Sequence, residues 1–231
     1  MSITAIAAAV KVSISPARMS TYEAAMAASA TPDVSALELY TWNAQVAAAL
    51  MVPLHVCEVV VRNAAHEVLE TLYGPRWPWE SVLHRSLPNP MSTYSPRWDL
   101  EKVRAKHTTA GKVIPELKFV FWEKLFTGRH DGRLWTPHLM RVFPNLSPAL
   151  PVSQHRLQIN KDLDQIRELR NRIAHHEPIF ARNLVDDFAK IERLVDARCK
   201  ITAAWMMAHQ QASTLIAAKP LPVAVAVPPT P

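Results

Sequence analysis

Apolar residues recur at steps of three and four over long stretches of this chain, the period of one buried helical face. Over residues 33–73 the series runs Val34, Leu37, Tyr40, Ala44, Ala47, Met51, Leu54, Cys57, Val61, Ala65, Val68 and Leu72, and Gly74-Pro75 stops it. Pro53 lies inside the series. It removes a backbone donor and crowds the carbonyl four residues back, so the pattern fits one kinked helix or two in sequence. A second series, Ile159, Leu163, Ile166, Leu169 and Ile173, predicts a helix over 153–175 that Pro178 ends. A third predicts a long final helix over about 184–212, carrying Val185, Phe188, Ile191, Leu194, Val195, Cys199, Ile201, Trp205 and Met206. Ser15-Pro16, Ser95-Pro96 and Thr136-Pro137 each place a capping hydroxyl before a proline at the first helical position, where its missing N–H costs nothing. Further helices are expected over 96–107, 112–126 and 137–143, with Pro115 blurring the start of the second.

No β alternation stands out before the tail, so the reading is an all-α bundle. A proline-rich segment with three tryptophans, 74–98, interrupts the helices as an ordered loop. Trp77, Trp79 and Trp98 are expected to pack over the helices, with base stacking as the alternative use of their rings. Residues 1–14 read as a loose extension, 15–212 as the helical domain, and 213–231 as a disordered tail rich in Pro, Ala and Val.

Composition narrows the chemistry. The 231 residues suit one large or two small domains, and 49% apolar with 20% charged residues is ordinary globular usage. Four glycines form neither G-x-G-x-x-G nor the phosphate-loop pattern, and two cysteines build no disulfide framework or cysteine zinc cluster. No H-E-x-x-H occurs. No cofactor and no metal are therefore expected, and a reducing cytoplasm is the expected compartment. The apolar stretch 46–61 is broken by Pro53, His55 and Glu58 and falls short of the ~20 residues a bilayer needs, so no membrane partner is expected. Lys11 follows the apolar N-terminal run instead of preceding it, the wrong order for a secretory signal.

The net charge of +6 points to an anionic partner, and its placement is uneven. Residues 76–141 hold 12 basic against 6 acidic groups, while 1–75 hold 3 against 6 and 142–231 hold 11 against 8. Lys102, Arg104, Lys106, His107, Lys112, Lys118 and Lys124 would give nonspecific phosphate contacts if they shared a face; a solvated basic surface is the alternative.

The sharpest local pattern is Leu169-Arg170-Asn171-Arg172-Ile173-Ala174-His175-His176-Glu177-Pro178, where one helix ends before another. Five residues turn an ideal helix by about 140° beyond a full turn, so Arg170 and His175 do not share a face, whereas Asn171 and His175 do. A site using all three needs a distorted helix end or a second chain. Glu58, Arg62 and Asn63 form a second cluster, with Glu58 and Arg62 at i, i+4 and able to pair. His66, three residues on, reads as a surface group.

The first pattern resembles the R-x4-H motif of the HEPN superfamily. With LELYTWNAQVAAALMVPLHVCEVVVRNAAHEVLETLYGPRW, GKVIPELKFVFWEKLF and LWTPHLMRVFPN in the same order, residues 14–205 resemble the Abi-like (abortive infection) family of that group. The resemblance implies a HEPN-like helical bundle with additional helices, a homodimer that brings two motifs together, and a metal-independent endoribonuclease of an anti-phage defence or toxin system. A toxin would add an inhibitor protein as partner. Within that reading RNA is the substrate, because its ribose 2′-hydroxyl can attack the adjacent phosphate and leave a 2′,3′-cyclic phosphate. His175 would transfer the proton, Arg170 would stabilise the phosphate charge, and Asn171 would orient either. Arg172 and His176 would contact RNA, and Glu58, Arg62 and Asn63 would support the site. The alternative is a noncatalytic helical module that binds RNA or a protein, since arginine and histidine at a helix C-terminus also serve its dipole.

Overall fold

The computed structural model describes residues 1–221. Among these the chain is all-α, with twelve α-helices and no strand: α1 (Ile3–Ile14), α2 (Pro16–Ala25), α3 (Pro32–Tyr73), α4 (Ser81–Ser86), α5 (Pro96–Arg104), α6 (Ala110–Glu116), α7 (Phe119–Leu125), α8 (Thr136–Val142), α9 (Val152–Ala174), α10 (Leu184–Arg198), α11 (Lys200–His209) and α12 (Ala212–Ala217). They fall into two compact units. The first comprises Met1–Met51, Arg172–Val185 and the described residues from Gln210 on; the second comprises Val52–Asn171 and Asp186–His209.

α3 is one uninterrupted helix of 42 residues with Pro53 inside it. A single proline deletes one rung of the backbone ladder, and a helix this long keeps the rest. The change of unit falls beside it, between Met51 and Val52. Gly74, with φ +76°, closes the helix by donating its N–H to Glu70 O, a left-handed cap that a Cβ would strain. By length and composition alone α3 could cross a bilayer, and Leu39, Trp42, Val46, Leu50, Leu54, Val61, Val68 and Leu69 on it are core residues.

The buried stripe of α3 matches the predicted one only from Leu54 to Val68, where Leu54, Cys57, Val61, Ala65 and Val68 are 0–2% exposed; Leu72, predicted on it, is 37% exposed at the last turn of the helix. In the first half it runs through Ala36, Leu39, Trp42, Val46 and Leu50 instead of Leu37, Tyr40, Ala44, Ala47 and Met51. Both sets have helical spacing. The one with Leu39, Trp42, Val46 and Leu50 buries more apolar area than one built largely on alanines.

In the first unit, Ser15 caps α2 by accepting from Arg18 N, with Pro16 as the first helical residue. Residues 1–14, expected as a loose extension, contain α1, which buries Ala7 and ties Lys11 to Glu23 at 2.6 Å. Tyr22 packs against Tyr40 and Phe180 with ring centroids 5.2 and 5.1 Å apart, and Trp42 Nε1 donates to Leu215 O. The start of the expected tail is thus helical as α12; residues 222–231 of that tail lie outside the described residues.

The second unit is centred on aromatic residues. Trp77 meets Trp122 edge to face, Phe126 stacks on Trp135 at 4.1 Å, and Trp77 Nε1 donates to His66 Nδ1 at 3.0 Å. His66 is therefore a partner of a buried tryptophan, contrary to the surface reading. The loop after α3 carries a 3₁₀ turn (Trp77–Trp79) and α4, but its tryptophans divide: Trp77 is fully buried, Trp79 half-buried and Trp98 54% exposed.

Ser95 caps α5 as predicted, whereas Thr136 does not cap α8. A π-helical turn, Asp131–Trp135, runs straight into α8, so Thr136 already has helical dihedrals and its hydroxyl is not at the cap position. The helix expected over 112–126 is two helices, because Leu117 and Lys118 are extended. The long final helix expected over about 184–212 is divided likewise, into α10 and α11, and Val185, Ile201 and Trp205 on it are 54–82% exposed instead of buried.

Candidate functional site

α9 buries Ile159, Leu163, Ile166 and Leu169 on one side, which turns the residues between them toward other surroundings. Arg167, Arg170 and Asn171 thereby line a cavity of about 490 Å³ in the second unit. α3 contributes Arg62, and the extended α6–α7 junction contributes Glu116 and Lys118. Four cationic side chains from three parts of the chain thus surround one space.

Glu58 organises two of them. Its Oε1 accepts from Arg62 Nη2, and its Oε2 lies 4.0 Å from Arg170 Nε. The pairing of Glu58 with Arg62, predicted from i, i+4 spacing, is therefore present and extends to Arg170. Arg62 is the more enclosed guanidinium, with 16% of its side chain exposed against 43% for Arg170. Burial, and then the nearby charge of Arg170, depress Arg62 below its ordinary range, while Glu58 opposes that shift. Arg62 Nε is buried with no hydrogen-bond partner among the described residues, an unsatisfied donor beside the cavity.

The other charges are largely matched. Arg167 donates to Glu123 and Asp164, both at 2.5 Å, and Glu123 also receives Lys124 at 2.7 Å. Glu116 is held by His107 at 2.6 Å and Lys106 at 3.8 Å. Of the seven candidate basic residues of the middle third, Arg104 binds the Pro78 carbonyl, Lys106, His107 and Lys124 meet carboxylates, and Lys118 is the one that lines the cavity. Arg170, Arg62 and Lys118 remain as the cations best placed for an external anion.

Arg170, Asn171 and Arg62 are thus brought together with Glu58 between the two guanidiniums, whereas Asn63 is exposed on α3 and does not line the cavity. Sequence reasoning missed Arg167 and Tyr94 as cavity residues. The signal for Arg167 was its i, i+3 spacing from Arg170; Tyr94, in the proline-rich loop, offered none.

Arg172, His175 and His176 belong to the first unit, where α9 ends. His175 is the exposed cap residue, and His176 follows in the left-handed region with φ 55°. His176 N–H bonds to Ile173 O and Glu177 N–H to Arg172 O, a Schellman closure. The turn is held from several sides: Arg172 donates to Pro178 O, Arg18 donates to His176 O at 2.6 Å, and the buried Asn43 Oδ1 accepts from the N–H groups of Ile179 and Phe180. Arg172 thus braces the turn with its guanidinium. His176 borders an apolar cavity of about 430 Å³ with Tyr22, Tyr40 and Ala44, a poor setting for phosphate.

A histidine with φ 55° occupies a conformation that glycine adopts without strain. His176→Gly is expected to stabilise the protein by about 1 kcal/mol, since the contacts to residue 176 given above are backbone ones. A rise in the urea midpoint at constant m would show it; a fall would mean the imidazole itself stabilises the turn.

No group of three His, Cys, Asp or Glu side chains among the described residues is placed to hold a metal ion. No protein-family model matches the chain, and neither does any curated protein or solved structure compared with it.

Proposed function

We propose that the protein is a HEPN-type endoribonuclease of the abortive-infection or toxin kind, acting on RNA without a metal. The observation that carries this reading is the cavity in which Arg62, Arg170, Lys118 and Asn171 converge, because Arg170 and Asn171 open the R-x4-H motif. A phosphodiester entering it meets guanidiniums that can form paired hydrogen bonds and an amide that can donate one more. Arg170 and Arg62 would take up the charge that builds on phosphorus as the 2′-hydroxyl attacks. His175 would move the proton, an imidazole being suited to this near neutral pH. The products would carry 2′,3′-cyclic phosphate and 5′-hydroxyl ends. The motif's roles imply a homodimer, and a toxin would be held in check by an inhibitor protein.

The test is incubation of purified protein with total cellular RNA in EDTA, with end-group mapping. Cleavage leaving cyclic phosphate ends is the expected result, and ends with a 2′-hydroxyl beside a free 3′-hydroxyl would sink the proposed chemistry. A noncatalytic RNA-binding module is the second reading. It is favoured by the fact that the cation cluster is complete within the second unit without a motif histidine. That reading expects salt-dependent RNA binding without strand scission.

A further inference from the structure

The phosphate cavity has a neighbour. A second space of about 450 Å³ in the same unit is lined by Asn89, Met91, Thr93, Trp98 and, shared with the first, Tyr94 and Lys118. Tyr94 is fixed there, because its hydroxyl donates to Asp99 Oδ2 at 2.6 Å and Asp99 is 3% exposed. Lys118 stands 5.9 Å from the Tyr94 ring centroid. The two residues that separate the spaces are therefore an anchored aromatic ring and an exposed cation.

At the far side Trp98 leaves 54% of its surface in solvent on a helix whose Leu100 and Val103 are buried. Lys102 holds its ammonium 5.0 Å from the Trp98 ring centroid. An indole this exposed contributes little to the core. Its lysine neighbour instead holds a positive charge over one face of the ring. Aromatic faces alternating with cations form the surface that binds single-stranded nucleic acid, bases stacking on rings while the backbone follows the charges.

We propose that Trp98 is a base-stacking subsite for single-stranded RNA, joined through Tyr94 and Lys118 to the Arg62–Arg170 phosphate cavity. A base would lie on the indole, and the phosphates beside it would meet Lys102 and Lys118. Double-stranded RNA would not fit this use of the ring, since its bases are already stacked on one another. The inference rests on the ribonuclease reading for the identity of the ligand and adds how the strand is held.

The experiment measures fluorescence anisotropy with a labelled 2′-O-methyl oligoadenylate octamer, which the proposed chemistry cannot cut, and with an abasic octamer of equal charge. The wild-type protein should bind the base-bearing octamer about tenfold more tightly than the abasic one, the order of one base–aromatic stack. Trp98→Ala should remove that preference while leaving abasic binding unchanged, and Trp98→Phe should restore most of it. Because Trp98 is exposed, all variants should keep the wild-type circular dichroism. Equal binding of the two octamers by wild type, or an unchanged preference in Trp98→Ala, overturns the stacking subsite while leaving an RNA phosphate site standing. Binding of neither octamer overturns both readings. Displacement of the octamer by polyglutamate at equal charge would assign the groove to acidic peptides and overturn the proposal as well.

Discussion

His175→Ala is expected to lower RNA cleavage by a factor on the order of a thousand while leaving RNA binding and the fold in place. The separation follows from where the residue sits. His175 is exposed at the cap of α9, and replacing such a surface residue costs within about 0.5 kcal/mol. The turn around it is braced by other groups: Arg172 on Pro178 O, Arg18 on His176 O, and Asn43 on the following N–H groups. The cations that would bind phosphate sit in the second unit around their own cavity and keep their partners in this variant. Arg170→Ala is expected to behave differently, lowering cleavage by about a hundredfold and also weakening binding with a salt slope smaller by about one. Its loss leaves the Arg62–Glu58 pair intact, so the enclosed guanidinium keeps its counter-charge and the protein still folds. Rates with a uniform RNA in EDTA and anisotropy titrations at several salt concentrations separate these effects. Wild-type cleavage rates in His175→Ala would remove the histidine from the mechanism. A loss of binding in that variant would make its role one of recognition.

Much of the second unit was legible because its signals are periodic. The α9 stripe from Ile159 to Leu169 appears where three- and four-residue spacing put it, since charged residues flank it and only one phase is apolar. The first half of α3 misled for the opposite reason. Apolar residues occur there on nearly every side, so two phases fit the spacing, and side-chain size decided between them. The helix breaks at Leu117–Lys118 and Cys199 carry no glycine or proline at the break itself, and the capping rule failed at Thr136 because a π-helical turn brought the chain in already helical.

The same distinction governs the site. Glu58 and Arg62 could be paired from sequence because their contact lies within one helix. That Arg170 would share Glu58, 112 positions away, or that Lys118 and Tyr94, 24 apart, would border both the cation-lined cavity and the Trp98 groove, depends on long-range contacts for which single-sequence spacing has no signal. The tryptophans illustrate it most simply. Three lie within 22 residues in one proline-rich segment, and only the fold separates the buried Trp77 from the exposed Trp98.

Stability should fall by roughly 3 kcal/mol as the pH drops from about 6.5 to about 4, through His130 alone. His130 is 6% exposed, and its Nε2 is buried with no hydrogen-bond partner among the described residues. Burial, followed by the charges of Arg129 and Arg133, pushes its pKa down to about 4, with Asp131 opposing. In the unfolded chain the imidazole takes up its proton near pH 6.5, whereas in the folded protein it stays neutral until about pH 4. Between those values the unfolded state binds more protons, so acid favours unfolding; above pH 6.5 both states are neutral and the contribution is complete. Carboxylates add their own acid sensitivity below about pH 5, so the measurement compares two proteins. Urea midpoints of wild type and His130→Leu, taken from pH 4 to 7.5, should converge or cross as the pH falls, because only wild type loses this increment. Curves that stay parallel through the whole range would mean that the folded protein admits the proton as readily as the unfolded chain, and that His130 has a polar escape which its burial conceals.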